Sequence, residues 1–294
     1  DLVAGKEKLT YRNTKGESII YGQKPPFLLF NKEGFEKVET IVTTKKGYGQ
    51  DGETVVSVSL DSREMKLDGA IEEADHEEML RYRRTMNRIF NPNYAGTLTY
   101  ETDIGTYEID CIPITPLFDE GNRTIRLPFS VTLFAADPKF RDTTLVDGLI
   151  PLSTIEPLLT WPLEIVADYQ FARAVSGEII LITNNGDVPT GGLFRLQVSI
   201  PVTNPRIYNV LTQEFFGFTG VYPAGTLFEI NTVARRKYVR KYNGTAWVNA
   251  MSERMIGSTF LQINEGDNYF QIQADTGVEG CLGDLTYTPL LIGV

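Results

Sequence analysis

Residues 71–100, IEEADHEEMLRYRRTMNRIFNPNYAGTLTY, contain one strong helix in a chain that otherwise reads as strands and turns. The stretch opens with an acidic cluster, becomes rich in arginine, and is halted by Phe90-Asn91-Pro92 before the strand-like Gly96-Thr97-Leu98-Thr99-Tyr100. Met79, Tyr82, Met86 and Ile89/Phe90 recur at three- and four-residue spacing, so a helix over about 75–90 has one apolar stripe to lay on a sheet. Asp75 and Glu78 have the spacing of a capping box. Glu77 and Glu78 sit at the positive end of the helix dipole, and Arg81, Arg83, Arg84 and Arg88 lie toward the negative end. Pro92 disfavours helical backbone at Asn91, which places the stop near Phe90. A single helix set among strands restricts the fold to a β architecture with one helix docked on a sheet.

The surrounding segments supply those strands. Thr54–Leu60 places Val56, Val58 and Leu60 on one face and serines on the other, with the glycine-rich tip Gly47-Tyr48-Gly49-Gln50-Asp51-Gly52 before it. Met65, Leu67 and Gly69 mark a second short strand. Thr97–Thr102 and Thr106–Ile112 flank Asp103-Ile104-Gly105, a hairpin loop with glycine available for a positive φ. Ile125, Leu127, Phe129, Val131 and Leu133 alternate with Arg126, Pro128, Ser130 and Thr132, the cleanest period-two run in the chain. Ala136-Asp137-Pro138 breaks that run, Pro151, Pro157 and Pro162 punctuate the next stretch, and a domain boundary is expected near residue 145. Beyond it no convincing helix appears. Strands at Glu178–Thr183, Leu193–Ile200, Lys237–Tyr242, Thr245–Asn249, Phe260–Ile263 and Tyr269–Gln273, with Asn243-Gly244 as a tight two-residue turn, argue for a β-sandwich. A last strand over Asp284–Ile292 belongs either to that sandwich or to the first domain.

The bulk numbers narrow the function. A length of 294 residues is enough for two cores. The net charge is −10 and both halves are acidic, so the chain offers no basic field of the kind that holds nucleic acid, and stable DNA binding is not expected. No run approaches the ~20 apolar residues of a membrane span, and no signal-peptide pattern opens the sequence. Cys111 and Cys281 lie far apart and read as buried free thiols from a reducing site of synthesis.

Candidate chemistry is sparse. His76, the one histidine, sits in the first helical turn among acids without a nucleophile frame such as Gly-x-Ser-x-Gly, and reads as a solvated helix-end residue. One histidine and two distant cysteines cannot build a zinc cluster. Gly47-x-Gly49 lacks the Lys-Ser/Thr of a phosphate loop. Carboxylates are plentiful, but no pair is selected as a glycosidase acid and base. No enzymatic activity, cofactor or metal is expected. The helix arginines are accounted for by the dipole and by pairing with Glu77 and Glu78. Arg235-Arg236-Lys237 with Arg240-Lys241 reads as a solvated hairpin edge. Tyr242 and Trp247, beside the Asn243-Gly244 turn, are the candidate platform for stacking a sugar ring, against the plainer reading of packing across a hairpin. The sequons Asn122-Arg123-Thr124 and Asn243-Gly244-Thr245 carry meaning only where the chain meets a glycosylating compartment.

The order of these pieces resembles the distal tail proteins of long, non-contractile-tailed bacteriophages, the baseplate hub family often called Dit. The resemblance is carried by Gly49-Gln50-Asp51-Gly52, Arg63 with Leu67 and Gly69, the Arg-rich helix ending Ile89-Phe90-Asn91-Pro92, Gly96-Thr97-Leu98, Ala136-Asp137-Pro138-Lys139-Phe140, Asn185-Gly186-Asp187, and Phe260–Phe270 around Gly266-Asp267-Asn268. It covers roughly residues 20–275. It implies a mainly β chain: an N-terminal ring-forming domain over 1–145, β-barrel-like or split-barrel with one α-helix, then a C-terminal galectin-like β-sandwich over 146–294. It implies a structural virion protein of the phage tail tip, made in the bacterial cytoplasm and assembling as a hexameric ring around a channel through which DNA passes. Its partners would be the tail tube protein, the tail-tip protein and receptor-binding proteins, with no membrane insertion. Tyr48, Gln50, Asp51, Arg81, Arg84 and Arg88 become the candidate contacts between subunits. The alternative is a carbohydrate-binding module contacting host glycans through Tyr242 and Trp247, and a glycan hydrolase ranks third.

Overall fold

The computed structural model describes residues 7–114, 116–119, 125–144, 149–157, 172–175 and 177–294. The chain divides into two compact units, Asp1–Thr144 with Leu290–Val294, and Leu145–Pro289. The boundary position 145, Pro162 and the Asn122-Arg123-Thr124 sequon lie outside the described residues.

The first unit is built on a ten-stranded sheet. Its central path runs Ser18–Tyr21, Lys8–Asn13, Gly96–Glu101, Thr106–Pro113, Arg126–Ala135, Arg63–Glu72, Phe27–Glu33. The alternating run at 125–133 forms its backbone: Leu127, Phe129, Val131, Leu133 and Ala135 all point into the core. That strand pairs along its full length with Arg63–Glu72, from Arg126↔Glu72 to Ala135↔Arg63. The short strand expected at Met65–Gly69 is therefore ten residues long, because antiparallel pairing on both sides sustains it. Among the described residues, the two outer edges of that path pair only through a single bridge between Gly22 and Leu28. The result is a split barrel and not a closed one.

The helix His76–Ile89 covers this core with Met79, Met86 and Ile89 buried, and Phe90 as its C-cap. Phe90 stacks on Tyr11 with ring centroids 4.6 Å apart, and Tyr82 meets Phe27 edge-on at 5.6 Å. These aromatic contacts add to the burial of the stripe. The N-terminus corrects the capping-box expectation by half. Asp75 Oδ1 accepts from the Glu77 N–H at 3.0 Å, but Glu78 turns away to Arg81 at 2.6 Å. Gly105 also serves a different purpose from the one expected. Its φ is not positive; instead a Cβ there would lie 2.3 Å from Thr144 Oγ1, so glycine allows the close approach of another segment.

The second unit packs two main sheets face to face. One runs Ile150–Pro151, Cys281–Tyr287, Gly192–Val198, Leu227–Asn231, Tyr238–Tyr242, Trp247–Asn249, and the other Ile179–Asn184, Gly266–Gln273, Arg206–Asn209, Phe215–Gly217. Phe194 and Leu196 from the first interdigitate with Ile182, Phe270 and Ile272 from the second, which is the layered core of a β-sandwich. The only helical pieces among the described residues here are 3-10 turns at Met251–Glu253 and Val278–Gly280.

Two local expectations are corrected. Tyr242 pairs with Trp247, so Asn243-Gly244 belongs to a four-residue loop whose Asn243 side chain accepts from the Thr245 and Ala246 N–H groups, each at 3.1 Å. Phe260–Ile263 is not a strand: Ile263 makes one isolated bridge to Thr190, the next strand starts at Gly266, and Asn268 braces the preceding loop through Asn264. The chain end takes both of the courses open to it. It splits into Cys281–Tyr287, central in the sandwich, and Leu290–Leu291, which pairs with Phe140–Arg141 in the first unit. Cys111 and Cys281 are both free and buried, and burial pushes each thiol up to about 12.

Candidate assembly surfaces

The strands Thr40–Lys45 and Thr54–Leu60 pair only with each other and form a sheet of their own. In sequence, Thr54–Leu60 alternates as a half-buried strand would. In the structure both of its faces are open: Val55, Val56 and Val58 are exposed, Val58 at 63 %, as are Ile41 and Val42 on the partner strand. The apolar face that the alternation marks is therefore left open by the described residues. A two-stranded hairpin is marginal in water unless something covers it, and five exposed apolar side chains on one are a strong sign of a missing partner.

The tip of this arm holds the sequence-selected Tyr48, Gln50 and Asp51. Tyr48 is fully exposed, and Gly49 and Gly52 adopt positive φ to turn the chain. Gln50 is engaged locally: its Oε1 accepts from the Gly47 N–H at 3.0 Å and its Nε2 donates to Thr54 Oγ1 at 2.9 Å. Thr44 Oγ1 donates to the Glu53 carboxylate across the arm. Gln50 thus shapes the tip, while Tyr48 projects from it.

The helix arginines separate by role. Arg81 bridges Glu77 and Glu78 at 2.7 and 2.6 Å, as helical spacing anticipates. Arg88 reaches Glu17 at 3.0 Å, tying the helix end to the turn after Lys8–Asn13. Arg83 lies over the Phe118 ring at 5.1 Å. Arg84 is exposed on the same helix. His76 is exposed too, and no cluster of three or more His, Cys, Asp or Glu that could hold a metal occurs among the described residues.

One residue outweighs its sequence signal. Arg63 is 2 % exposed and donates to a set of backbone carbonyls: Pro138 at 2.8 Å, Gly34 at 2.5 Å, Phe35 at 3.0 Å, Lys37 at 3.4 Å, and Ile292. Its guanidinium also lies over Phe140 at 4.9 Å. Desolvation lowers its pKa below the usual arginine range. Arg63 stands where the arm rejoins the sheet, so it fixes the root of the arm.

In the second unit, strand register lines up a row of charges that the sequence hides. Asp284, Arg195, Glu229 and Arg240 are consecutive cross-strand partners. Glu229, 5 % exposed, accepts from Arg195 Nε at 3.2 Å and from Arg240 Nε at 2.6 Å. Asp284 lies 3.8 Å from Arg195, and its buried Oδ1 accepts no hydrogen bond from the described residues. Arg240 in turn covers one face of Trp247 at 4.4 Å, and Trp247 packs on Tyr242 at 5.6 Å. Trp247 stays 39 % exposed, so the pair is an outer-surface contact and not core. The basic cluster divides: Arg235, Arg236 and Lys237 are exposed in the turn before the strand, whereas Arg240 pairs with Glu229 and Lys241 with Glu253 at 2.5 Å, both on a strand flanked on either side.

The fold has counterparts among known proteins. Residues 14–135 match the phage tail protein RIFT-related domain. No curated protein sequence matches the chain. Among solved structures, the chain resembles SPP1 Dit (gp 19.1), described as a paradigm of the hub adsorption apparatus in phages infecting Gram-positive bacteria. The TM-score is 0.69 at 13 % identity, covering 96 % of this chain and 98 % of that one. It also resembles a chain of the phage P2 baseplate in its activated conformation with calcium, with TM-score 0.50 at 11 % identity, covering 98 % and 99 %. At such identities the likeness is one of fold. Residues 14–135 thus match the phage tail RIFT-related domain, and the chain as a whole shares the fold of SPP1 Dit.

Proposed function

We propose that this protein is a structural component of the distal tail of a long, non-contractile-tailed phage or prophage, and that six copies close into a ring joining the tail tube to the tip protein. The observation that carries this reading is the arm Thr40–Lys45/Thr54–Leu60, whose apolar side chains are open on both faces in a chain with the fold of SPP1 Dit. A surface of this kind on one subunit, seated on a different surface of the next, is a head-to-tail contact, and such contacts give rings when the rotation closes. Tyr48 and Asp51 at the arm tip, with Arg81, Arg84 and Arg88 on the helix, are the residues proposed to lie at or near the subunit boundary. The tail tube protein, the tip protein and receptor-binding proteins are its proposed partners.

Light scattering combined with negative-stain imaging tests this reading. The expected outcome is a six-fold ring, formed by the purified chain at high concentration or on mixing with its tube and tip partners. A strictly monomeric species under all of those conditions overturns it.

A further inference from the structure

The second unit contains two Asn-Gly pairs, Asn185-Gly186 and Asn243-Gly244, and the fold treats them differently. In such a pair the asparagine side chain is open to attack by the next backbone nitrogen, because glycine puts no Cβ in the way. Both asparagines are exposed. The Gly186 N–H, however, is engaged: it donates to Asn184 Oδ1 at 3.0 Å. Asn184 is 2 % exposed and is fixed in turn by donating to the carbonyls of Val188 at 3.2 Å and Ile263 at 3.1 Å. That glycine nitrogen is held in a braced loop.

Asn243-Gly244 is the reverse case. Residues 243–246 are all exposed, Gly244 adopts a φ of +92° with nothing within 4 Å of where its Cβ would lie, and its N–H donates to no group among the described residues. Asn243 Oδ1 accepts from the Thr245 and Ala246 N–H groups, each at 3.1 Å, while its Nδ2 meets no partner among the described residues. Two backbone donors on one amide oxygen draw electron density from Cγ. They also stand where negative charge gathers when a nucleophile adds to that carbon.

We infer that Asn243 is a site of spontaneous deamidation, promoted by its own loop, in which the Thr245 and Ala246 N–H groups act as an oxyanion hole. The Gly244 nitrogen adds to Asn243 Cγ, forming a C–N bond and a tetrahedral carbon whose Oδ1 charge those two groups hold. The Cγ–Nδ2 bond then breaks, and Nδ2 leaves as ammonia with the proton that the Gly244 N–H gives up. The unpartnered Nδ2 has no hydrogen bond to lose as it departs. One water molecule opens the resulting cyclic imide. Opening at Cγ gives aspartate and opening at the main-chain carbonyl gives isoaspartate, with no change of oxidation state. Either product adds a negative charge to the loop. Isoaspartate also adds a carbon to the main chain between the cross-strand partners Tyr242 and Trp247, and so disturbs the hairpin that presents this aromatic pair.

The test incubates the intact chain at mildly alkaline pH, with and without urea, and follows both pairs by peptide mapping done at acidic pH. Labelling with an isoaspartyl methyltransferase scores the isoaspartate product. In the folded chain Asn243 is expected to be lost at least about tenfold faster than Asn185. In urea, where neither loop survives, the two rates are expected to agree within about threefold. Asn243 itself is expected to react at least as fast folded as unfolded, since folding is what sets the two donors on its Oδ1. A folded-chain preference below tenfold, or loss of Asn185 first, overturns the inference. So does a preference that stays above threefold in urea, which would trace it to sequence neighbours. Slower reaction of Asn243 in the folded chain than in urea overturns the oxyanion role of Thr245 and Ala246, and the inference with it.

Discussion

Arg63 donates to the backbone carbonyl of Ile292, a residue 229 positions later in the chain. The same guanidinium holds the carbonyls of Gly34, Phe35 and Pro138, so one buried cation gathers the segment before the arm, the turn beyond the long central strand, and the returning chain end. The returning segment adds its own bonds, with the Val294 N–H donating to Phe35 O at 3.2 Å.

Removing that cation strands several buried carbonyls at once. Arg63→Met is expected to destabilise the first unit by roughly 3–5 kcal/mol, since each hydrogen bond from a charged donor counts for about 1.5–3 kcal/mol. Arg63→Lys is expected to rescue little, because an ammonium cannot span the same fork of acceptors. Urea unfolding monitored by near-UV circular dichroism measures both.

Deleting residues 290–294 removes the strand pairing Phe140↔Leu291 and an acceptor of Arg63. The deletion is expected to cost the first unit about 2–3 kcal/mol and to be markedly non-additive with Arg63→Met, since both act on one hydrogen-bond network. A double-mutant cycle in urea gives the coupling energy, and simple additivity counts against the shared network.

Charge on the arm separates folding from assembly. Val56→Asp and Val58→Asp replace exposed side chains, so each is expected to leave monomer stability within about 0.5 kcal/mol. Each is also expected to abolish the ring, because a carboxylate would be desolvated at the contact. Thermal unfolding and light scattering on the same samples make the comparison.

The charge row in the sandwich has a test of its own. Glu229→Ala leaves Arg195 and Arg240 facing each other without their shared carboxylate, and the expected loss is about 3 kcal/mol, the cost of breaking a buried pair by removing one partner. Differential scanning calorimetry of the full chain reads it as a lower transition for the second unit.

Asp284 is a counterpart with the opposite sign. Burial raises its pKa, Arg195 lowers it and Glu229 raises it, with a net upward direction. A carboxyl raised in the folded state favours folding most below its unfolded pKa and loses that contribution as pH rises through the folded value. Asp284→Asn is therefore expected to stabilise the protein slightly at pH 7, by about 1 kcal/mol or less given its partial exposure, with the gain shrinking as pH falls toward 4. A Tm series over pH 4–7 checks the slope; a gain that grows on acidification contradicts the assignment.

Much of this was legible in the residues. The helix announced itself through Met79, Met86 and Ile89 at helical spacing and through the Asn91-Pro92 stop, and it ends at Ile89 with Phe90 as cap. The Leu127–Leu133 alternation marked a central strand because a period-two apolar pattern has one consistent burial. The arm misled for the same reason: Val56 and Val58 alternate with serines just as half-buried strand residues do, yet they stand exposed on the subunit. The pattern marks an apolar face and does not say whether the chain itself covers it.

Local periodicity, turn residues and charge therefore determined the strands, the helix and the acidic, motif-poor character of the chain, since these depend on neighbours a few residues away. Tertiary structure alone decided that Arg63 meets Ile292, that Asp284, Arg195, Glu229 and Arg240 fall in one row, and that Leu290–Leu291 leaves the sandwich for the first unit. Most of those contacts join residues far apart in sequence, and their partners are selected by strand register and chain path, quantities that exist only once the whole fold has closed.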